Sequence, residues 1–538
     1  PSVWSDGVPL TAADFVYAWL RVLDPATGSK YASFLYPLRY GEMFSRRAIL
    51  VRGVHGRDEA ELRRVFATIA PIELIRIAPE LDGAFVIVAG EDTERPALRR
   101  RLIAGLNGKS PFGSPLTAAL VDASLVGLRA TDDLTLEVDL EDPLPYFLHI
   151  VKFYTAMPVP RHSIERLEKT GQNPDLWTRP ENIVSNGAYV IDSAKFRQEL
   201  NLRKNPRYWD AAHVRTSRIR CAIIESYNTT LNMYEAGELD SIGASLALPA
   251  EFMETLSTKH DFHRGPWLAT YYYWVNVHQP PLDDVRVRTA LRLAIDRKTL
   301  TDKIMRAGQI PSADLVPDGL SGYRGLHSPI FDPERARRLL REAGYGPEHP
   351  LPTITLSYNT SETHKQLAEA VQAIWHRELG IDVALDNQEW NVYLKRLRAH
   401  EFQIARHAWI GDYPDPYTFL DLLTGQNGNN HSGWSDPHYE ALLKRANATR
   451  DVAARLALLR QAEAIAMDAA PLLPIYTYTR SEMIKPYLMG HAINYENKHL
   501  WKYWWIDRRW YRGVPTDRLP DGFPEPAKLI AADVKEAG

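Results

Sequence analysis

Three side chains within seven residues of the stretch FQIARHAWIGDYPDPYTFL (402–420) have complementary chemistry: the Arg406 guanidinium, the Trp409 indole and the Asp412 carboxylate. A fixed carboxylate takes a charge-assisted bond from an ammonium, a guanidinium takes one from a carboxylate, and a flat indole supplies apolar contact area. This is recognition chemistry. The plainer alternative is a surface aspartate paired with a nearby arginine. Bond-making chemistry has no comparable signal: G-x-S-x-G, H-E-x-x-H and a P-loop with its lysine are missing, and the 17 histidines are scattered. The single cysteine, Cys221, rules out an internal disulfide and any cysteine-cluster metal site, and its place in the apolar run IRCAII predicts a buried, inert thiol. Glu235, Glu238 and Asp240 read as a solvated acidic face, so neither a metal nor a cofactor is expected.

The elements that must position these residues can be read from either side. Gly411, Pro414 and Pro416 stop a helix, so 402–420 is predicted to be a strand running into a turn-rich loop. In open α/β sheets ligands collect beyond the carboxyl ends of strands. Upstream, LPTITLSYN reads as a strand, SETHKQLAEAVQAIWHREL as a helix burying Leu367, Val371, Ile374 and Trp375 before Gly380, and IDVALDNQEW as a further strand. Residues 452–468 form a helix and PLLPIYTYT returns as a strand. Between TYYYWVNV and these elements, Val287, Leu291, Ala294 and Ile295 make one apolar helical stripe. The alternation argues for an α/β domain, and 183–225 reads as a mixed sheet of short strands.

At 538 residues the chain exceeds one hydrophobic core, and about 150 residues per domain predicts about three. Apolar residues at 45% and charged residues at 24% fit a globular protein, and no apolar run reaches the ~20 residues a membrane span needs. A net charge of −3 gives no bulk attraction for nucleic acid, which is not expected as a partner. Trp (14) and Tyr (26) are abundant enough, in runs such as YYYW and WKYWW, to suggest walls for varied side chains as well as core packing. The first residues carry neither a basic n-region nor an apolar h-region, so no export signal is expected in them. Thr11 to Asp14 has the form of a capping box, followed by Phe15, Val16, Trp19, Leu20 and Leu23 at helical spacing until Asp24-Pro25. Residues 46–103 read β-α-β-β-α, like a ferredoxin-like or RNA-recognition-type unit. The exposed aromatics that would stack on bases are lacking, with only Phe85 in GAFVIVA, so a structural insert is expected.

Taken in order, WSDGVPLTAADFVYAW, DDLTLEVDLEDPLPYFL, NIVSNGAYVI, KNPRYWD, PPLDDVRVRTALRLAIDR, SYNTSETHKQLAEAVQAIW, NQEWNVYL and FQIARHAWIGDYPDP resemble the extracellular solute-binding proteins of peptide ABC transporters, the oligopeptide- and dipeptide-binding family. The resemblance implies a periplasmic-binding-protein-like α/β fold, with two ligand-enclosing lobes joined by a two-strand hinge and an additional lobe. The expected boundaries are 1–162 for the additional lobe with its insert at about 46–127, 163–271 plus 476–538 for the first ligand-enclosing lobe, and 272–475 for the second. TYYYWVNV and PLLPIYTYT would be the hinge strands. By the same resemblance Asp412 receives a peptide's α-ammonium. Tyr272, Trp390, Trp409, Tyr476 and Tyr478 are the candidate walls. Arg406, His364 and one of Arg396 or Arg398, of which Arg398 is preferred, form the cationic positions that meet the peptide carboxylate. The family's disulfide falls on Ala269 and Ile410 and is absent. The family also has a segment before WSDG, so a first lobe that begins at this motif is expected to lack strands.

The implied function is a monomeric, periplasmic or envelope-attached receptor that captures short peptides and delivers them to a membrane permease. Related proteins of this fold take nickel complexes, haem or oligosaccharides, none of which requires an ammonium-binding aspartate. A peptide sensor or chaperone is the other binding alternative, and a hydrolase is the rival in a different class.

Overall fold

The computed structural model describes residues 2–510 apart from 92, 244–247 and 426, so the part of the expected first lobe after 510 lies outside the described residues. Two compact units emerge, one built on Val8–Thr178 and one on the chain from Arg179 onward. The first extends past the expected 162 because the helix Arg161–Lys169 packs with the N-terminal helix: the Arg161 guanidinium lies 5.5 Å from the Tyr17 ring centroid. The N-terminal helix, Ala12–Leu23, starts as expected, with the Thr11 N–H donating to Asp14 Oδ2 at 2.9 Å. Trp19 is buried and donates Nε1–H to the Ala156 carbonyl at 2.8 Å.

The insert folds as its β-α-β-β-α pattern predicts and gains a fourth strand, Thr117–Leu120. Strands Ile49–Arg52, Ile72–Ala78 and Gly83–Val88 join it in an antiparallel sheet whose spatial order places the first and third strands at the centre. Its helices, Glu59–Phe66 and Arg95–Leu106, cover one face through Leu62, Phe66, Leu102 and Leu106. The other face, where an RNA-recognition domain would stack bases, carries Leu50, Phe85 and Ile87 and is buried against Tyr40 and Met43. Base stacking on that face is closed off by the unit's own core.

In the second unit the main sheet runs Ser241–Ile242, Leu472–Ile484, Phe262–Val275, Ile404–Ile410, Ile354–Asn359, Val383–Gln388, with Ile310–Pro311 pairing as a seventh strand on Leu472–Ile484. Pairing is antiparallel through the long strands and parallel between Ile354–Asn359 and its two neighbours. The two expected hinge strands lie side by side, with Thr270 opposite Thr477 and Trp274 opposite Leu472. Helix Glu362–Leu379 ends at Gly380, whose φ of 68° is the left-handed conformation that favours glycine. Val287, Leu291, Ala294 and Ile295 are all buried, as the stripe predicts. Cys221 is half-buried, and burial pushes its thiol up, away from reactivity.

One buried cation ties this unit together. Arg297, fully buried, donates Nε–H to the carbonyls of Ser312 (3.0 Å) and Pro474 (2.8 Å), and Nη1–H to those of Ile295 (3.1 Å) and Ile330 (2.8 Å). Burial and neighbouring Arg292 pull its pKa down to about 9, so it remains charged at neutral pH. Arg297→Met would leave these carbonyls without their donor at ~1–3 kcal/mol each. Thermal unfolding should shift down by several degrees, with little recovery in Arg297→Lys, whose single ammonium cannot reach four acceptors. An unchanged midpoint would show that the carbonyls find other partners.

Candidate ligand-binding site

The strand Ile404–Ile410 alternates its side chains between two faces of the sheet, and the functional residues divide accordingly. On one face Arg406 lies beneath a tyrosine cage. Its guanidinium sits 5.0 Å from the Tyr271 ring centroid, Tyr271 stacks on Tyr476 at 4.9 Å, and Tyr476 meets Tyr478 edge-on at 5.0 Å. His364, at the start of the helix Glu362–Leu379, closes the group with Nδ1 3.5 Å from the Tyr271 hydroxyl. Arg406 Nη1 donates to Asn359 Oδ1 at 3.3 Å, Nε is buried without a hydrogen-bond partner, and no carboxylate lies within ion-pair distance among the described residues. A half-buried guanidinium whose Nε is buried without a partner is an attractor for a carboxylate.

Trp409 projects from the opposite face, against the core that holds Tyr272 and Trp274. Its Nε1–H donates to Thr418 Oγ1 at 3.4 Å, and the same oxygen accepts the Asp412 backbone N–H at 3.2 Å, which fixes the indole and the half-buried aspartate to one anchor. The loop is held on both sides. Gly411 N–H donates to the Leu268 carbonyl at 2.7 Å, a side chain at 411 would fall 2.7 Å from Leu268 Cγ, and Asp415 makes a buried bidentate pair with Arg455 at 2.7 and 2.8 Å. Arg406, suited to an anion, lies on the strand, and Asp412, suited to a cation, lies six residues on in its exit loop. Six residues at ~3.3 Å each set an upper separation of ~20 Å between their backbones, the length of a short extended peptide.

Several expectations change. Tyr272 is not in the cage: it faces the Trp274 side and its hydroxyl lies 3.1 Å from His407 Nδ1, while its neighbour Tyr271 takes the cage position. His364 is not a cation, because burial and then Arg406 push its pKa down to about 3, leaving a neutral imidazole. Arg398 is exposed and stands near His431, outside the cage, whereas Arg396 pairs with Asp386 at 3.1 Å. Trp390 is 48% exposed and stacks on Tyr393, whose hydroxyl donates to the Arg406 carbonyl; this places the indole at the rim. Tyr476 and Tyr478 stand in the cage with Tyr271. Tyr271, Tyr393 and Asn359 were missed. Strand alternation alone could have placed Arg406 and Trp409 on opposite faces, since they are three residues apart. Ala269 and Ile410 are directly opposed, as a disulfide at those positions would require.

The comparison with known families defines the class as a solute-binding protein. Residues 2–431 match the model of the bacterial extracellular solute-binding proteins, family 5 (middle region), and the chain belongs to that family. It is 32% identical over 485 residues to the oligopeptide-binding protein OppA of Bacillus subtilis, covering 88% of this chain and 75% of that protein. It is also 32% identical over 499 residues to the probable deoxycholate-binding periplasmic protein YgiS of Escherichia coli, covering 91% and 78%. The solved structure of the Escherichia coli murein tripeptide binding protein MppA superposes with a TM-score of 0.73 at 30% identity, covering 94% of this chain and 85% of that one.

Proposed function

We propose that this protein is the receptor of an ABC importer that captures short peptides and hands them to membrane permease subunits, acting as a monomer in the periplasm or attached to the envelope and carrying out no catalysis. The carrying observation is the pair of unlike charges on one strand and its loop: half-buried Arg406, with no carboxylate partner among the described residues, and Asp412 anchored beside Trp409. A peptide's α-ammonium would meet Asp412 and its carboxylate Arg406, with strand-like hydrogen bonds between them and aromatic walls accommodating varied side chains. Relatives named for oligopeptides and for a murein tripeptide support this reading.

The adjacency of Phe262–Val275 and Leu472–Ile484 supports the two-strand hinge, with ligand-enclosing lobes of 179–271 plus 476 onward and of 272–475. A second reading draws on the equally similar relative named for deoxycholate, a carboxylate without an ammonium, which would use Arg406 and leave Asp412 idle. Mass spectrometry of what co-purifies with the protein separates the two. A ladder of short peptides is expected, and a steroid acid as the dominant species would replace the peptide assignment.

A further inference from the structure

A second charged cleft lies in the same unit, apart from the tyrosine cage, lined by residues 251–257, by Arg264 and by residues 301–309. Its volume of about 530 Å³ falls within the ~300–1,000 Å³ range of small-molecule sites. Glu251 and Glu254 come from the first flank, and Lys303 and Arg306 from the second, while Arg264 enters from the strand Phe262–Val275. None of these five charges makes an ion pair within 4 Å among the described residues; the remaining acid, Asp302, is taken by Lys298.

Two features show that the cleft is built rather than accidental. The Arg264 guanidinium lies against Gly308, where a side chain would fall 2.8 Å from Cζ, so the absence of one at 308 makes room for the cation, which also sits 5.3 Å from the Phe262 ring centroid. Gln309, only 4% exposed, lines the cleft with a buried Nε2 that has no hydrogen-bond partner. Its Oε1 accepts the Ala307 N–H at 3.1 Å, which fixes the amide. An amide donor held at the wall without an acceptor points to an oxygen-bearing ligand.

We infer that this cleft binds a small zwitterion, its carboxylate received by Arg264, Lys303, Arg306 and the Gln309 amide and its ammonium by Glu251 and Glu254. A ligand carrying both ends meets a partner for each, whereas a simple anion would also face two carboxylates and a simple cation three cationic side chains. This inference does not depend on the peptide site.

Calorimetric titration of glycylglycine into the Asp412→Asn protein reads the cleft apart from the proposed peptide site. One saturable site is expected, weakened at least tenfold both in Lys303→Ala/Arg306→Ala and in Glu251→Gln/Glu254→Gln, all exposed positions, and undetectable for N-acetylglycylglycine amide, which lacks both charges. Hydrogen exchange on the unsubstituted protein should show protection by glycylglycine at 301–309 and 251–257. Affinity unchanged by both pairs, or absence of saturable binding together with absence of that protection, overturns the cleft. If a longer peptide binds wild type and Asp412→Asn equally, the peptide reading fails while the cleft result stands.

Discussion

Asp412→Asn is expected to weaken binding of a short peptide at least a hundredfold, and N-acetylation of the peptide should do comparable damage to binding by the unsubstituted protein. The substitution keeps the size and the backbone bond to Thr418 Oγ1 while removing the charge that compensates an ammonium taken out of water. Removing one partner of a buried ion pair costs ~3–5 kcal/mol, and each 1.4 kcal/mol is about tenfold in affinity. The two perturbations should not add, because each breaks the same contact. Calorimetry with both proteins and both peptides completes the cycle. Equal binding of free and acetylated peptides to wild type would show that Asp412 is not the ammonium partner, and Arg406 alone would then direct attention to carboxylates such as the deoxycholate of a relative's name.

Most of the framework was legible because it rests on local patterns. The helix Glu362–Leu379, the strands around it and the β-α-β-β-α insert follow from apolar periodicity and from Gly380, which needs nothing distant to act. The site was less legible because two of its features depend on register and burial. In the run Tyr271, Tyr272, Tyr273 every position has the same side chain, so composition cannot say which ring faces Arg406; pairing with Ile404–Ile410 and Leu472–Ile484, including an irregularity between Tyr271 and Tyr272, decides it. A histidine's charge is likewise invisible in sequence, and His364 became neutral only because the fold buried it beside Arg406. The insert's sheet gave no warning that Tyr40 and Met43 would cover its second face, since those residues lie outside the β-α-β-β-α pattern that predicted it.

Neutral buried histidines also govern how the second unit should respond to acid. His364, His407 and His431 have pKa values of about 3, 3 and 4, lowered mainly by burial; His431 and Arg406 add to the effect at His407, and His400 and Arg398 at His431. Unfolded histidine titrates near ~6.5, so below that pH the unfolded chain holds protons that the fold excludes. The stabilising difference is complete above ~6.5 and is lost as pH falls toward 4 and 3. Between pH 7 and 5 each histidine loses about 2 kcal/mol, close to 6 kcal/mol for the three.

Two buried carboxyls work in the opposite sense. Burial raises Asp421 to about 6 and Glu463 to about 7, so the fold takes up protons there before the unfolded chain does, and acidification from pH 7 to 5 returns roughly 1 and 2 kcal/mol. For these five groups together the expectation is a loss of roughly 2–3 kcal/mol over that interval, to which His263 and His499, also lowered by burial, add. His431→Asn removes one excluded proton and should make the fall in unfolding free energy from pH 7 to 5 about 2 kcal/mol smaller than in the unsubstituted protein. Glu463→Gln removes the largest offset and should make it about 2 kcal/mol larger. Urea denaturation of the three proteins at pH 7, 6 and 5 measures both slopes. The opposite signs make the test specific, because general damage from either substitution would lower stability by a similar amount at every pH, and parallel curves for all three proteins would show that these groups do not set the acid response.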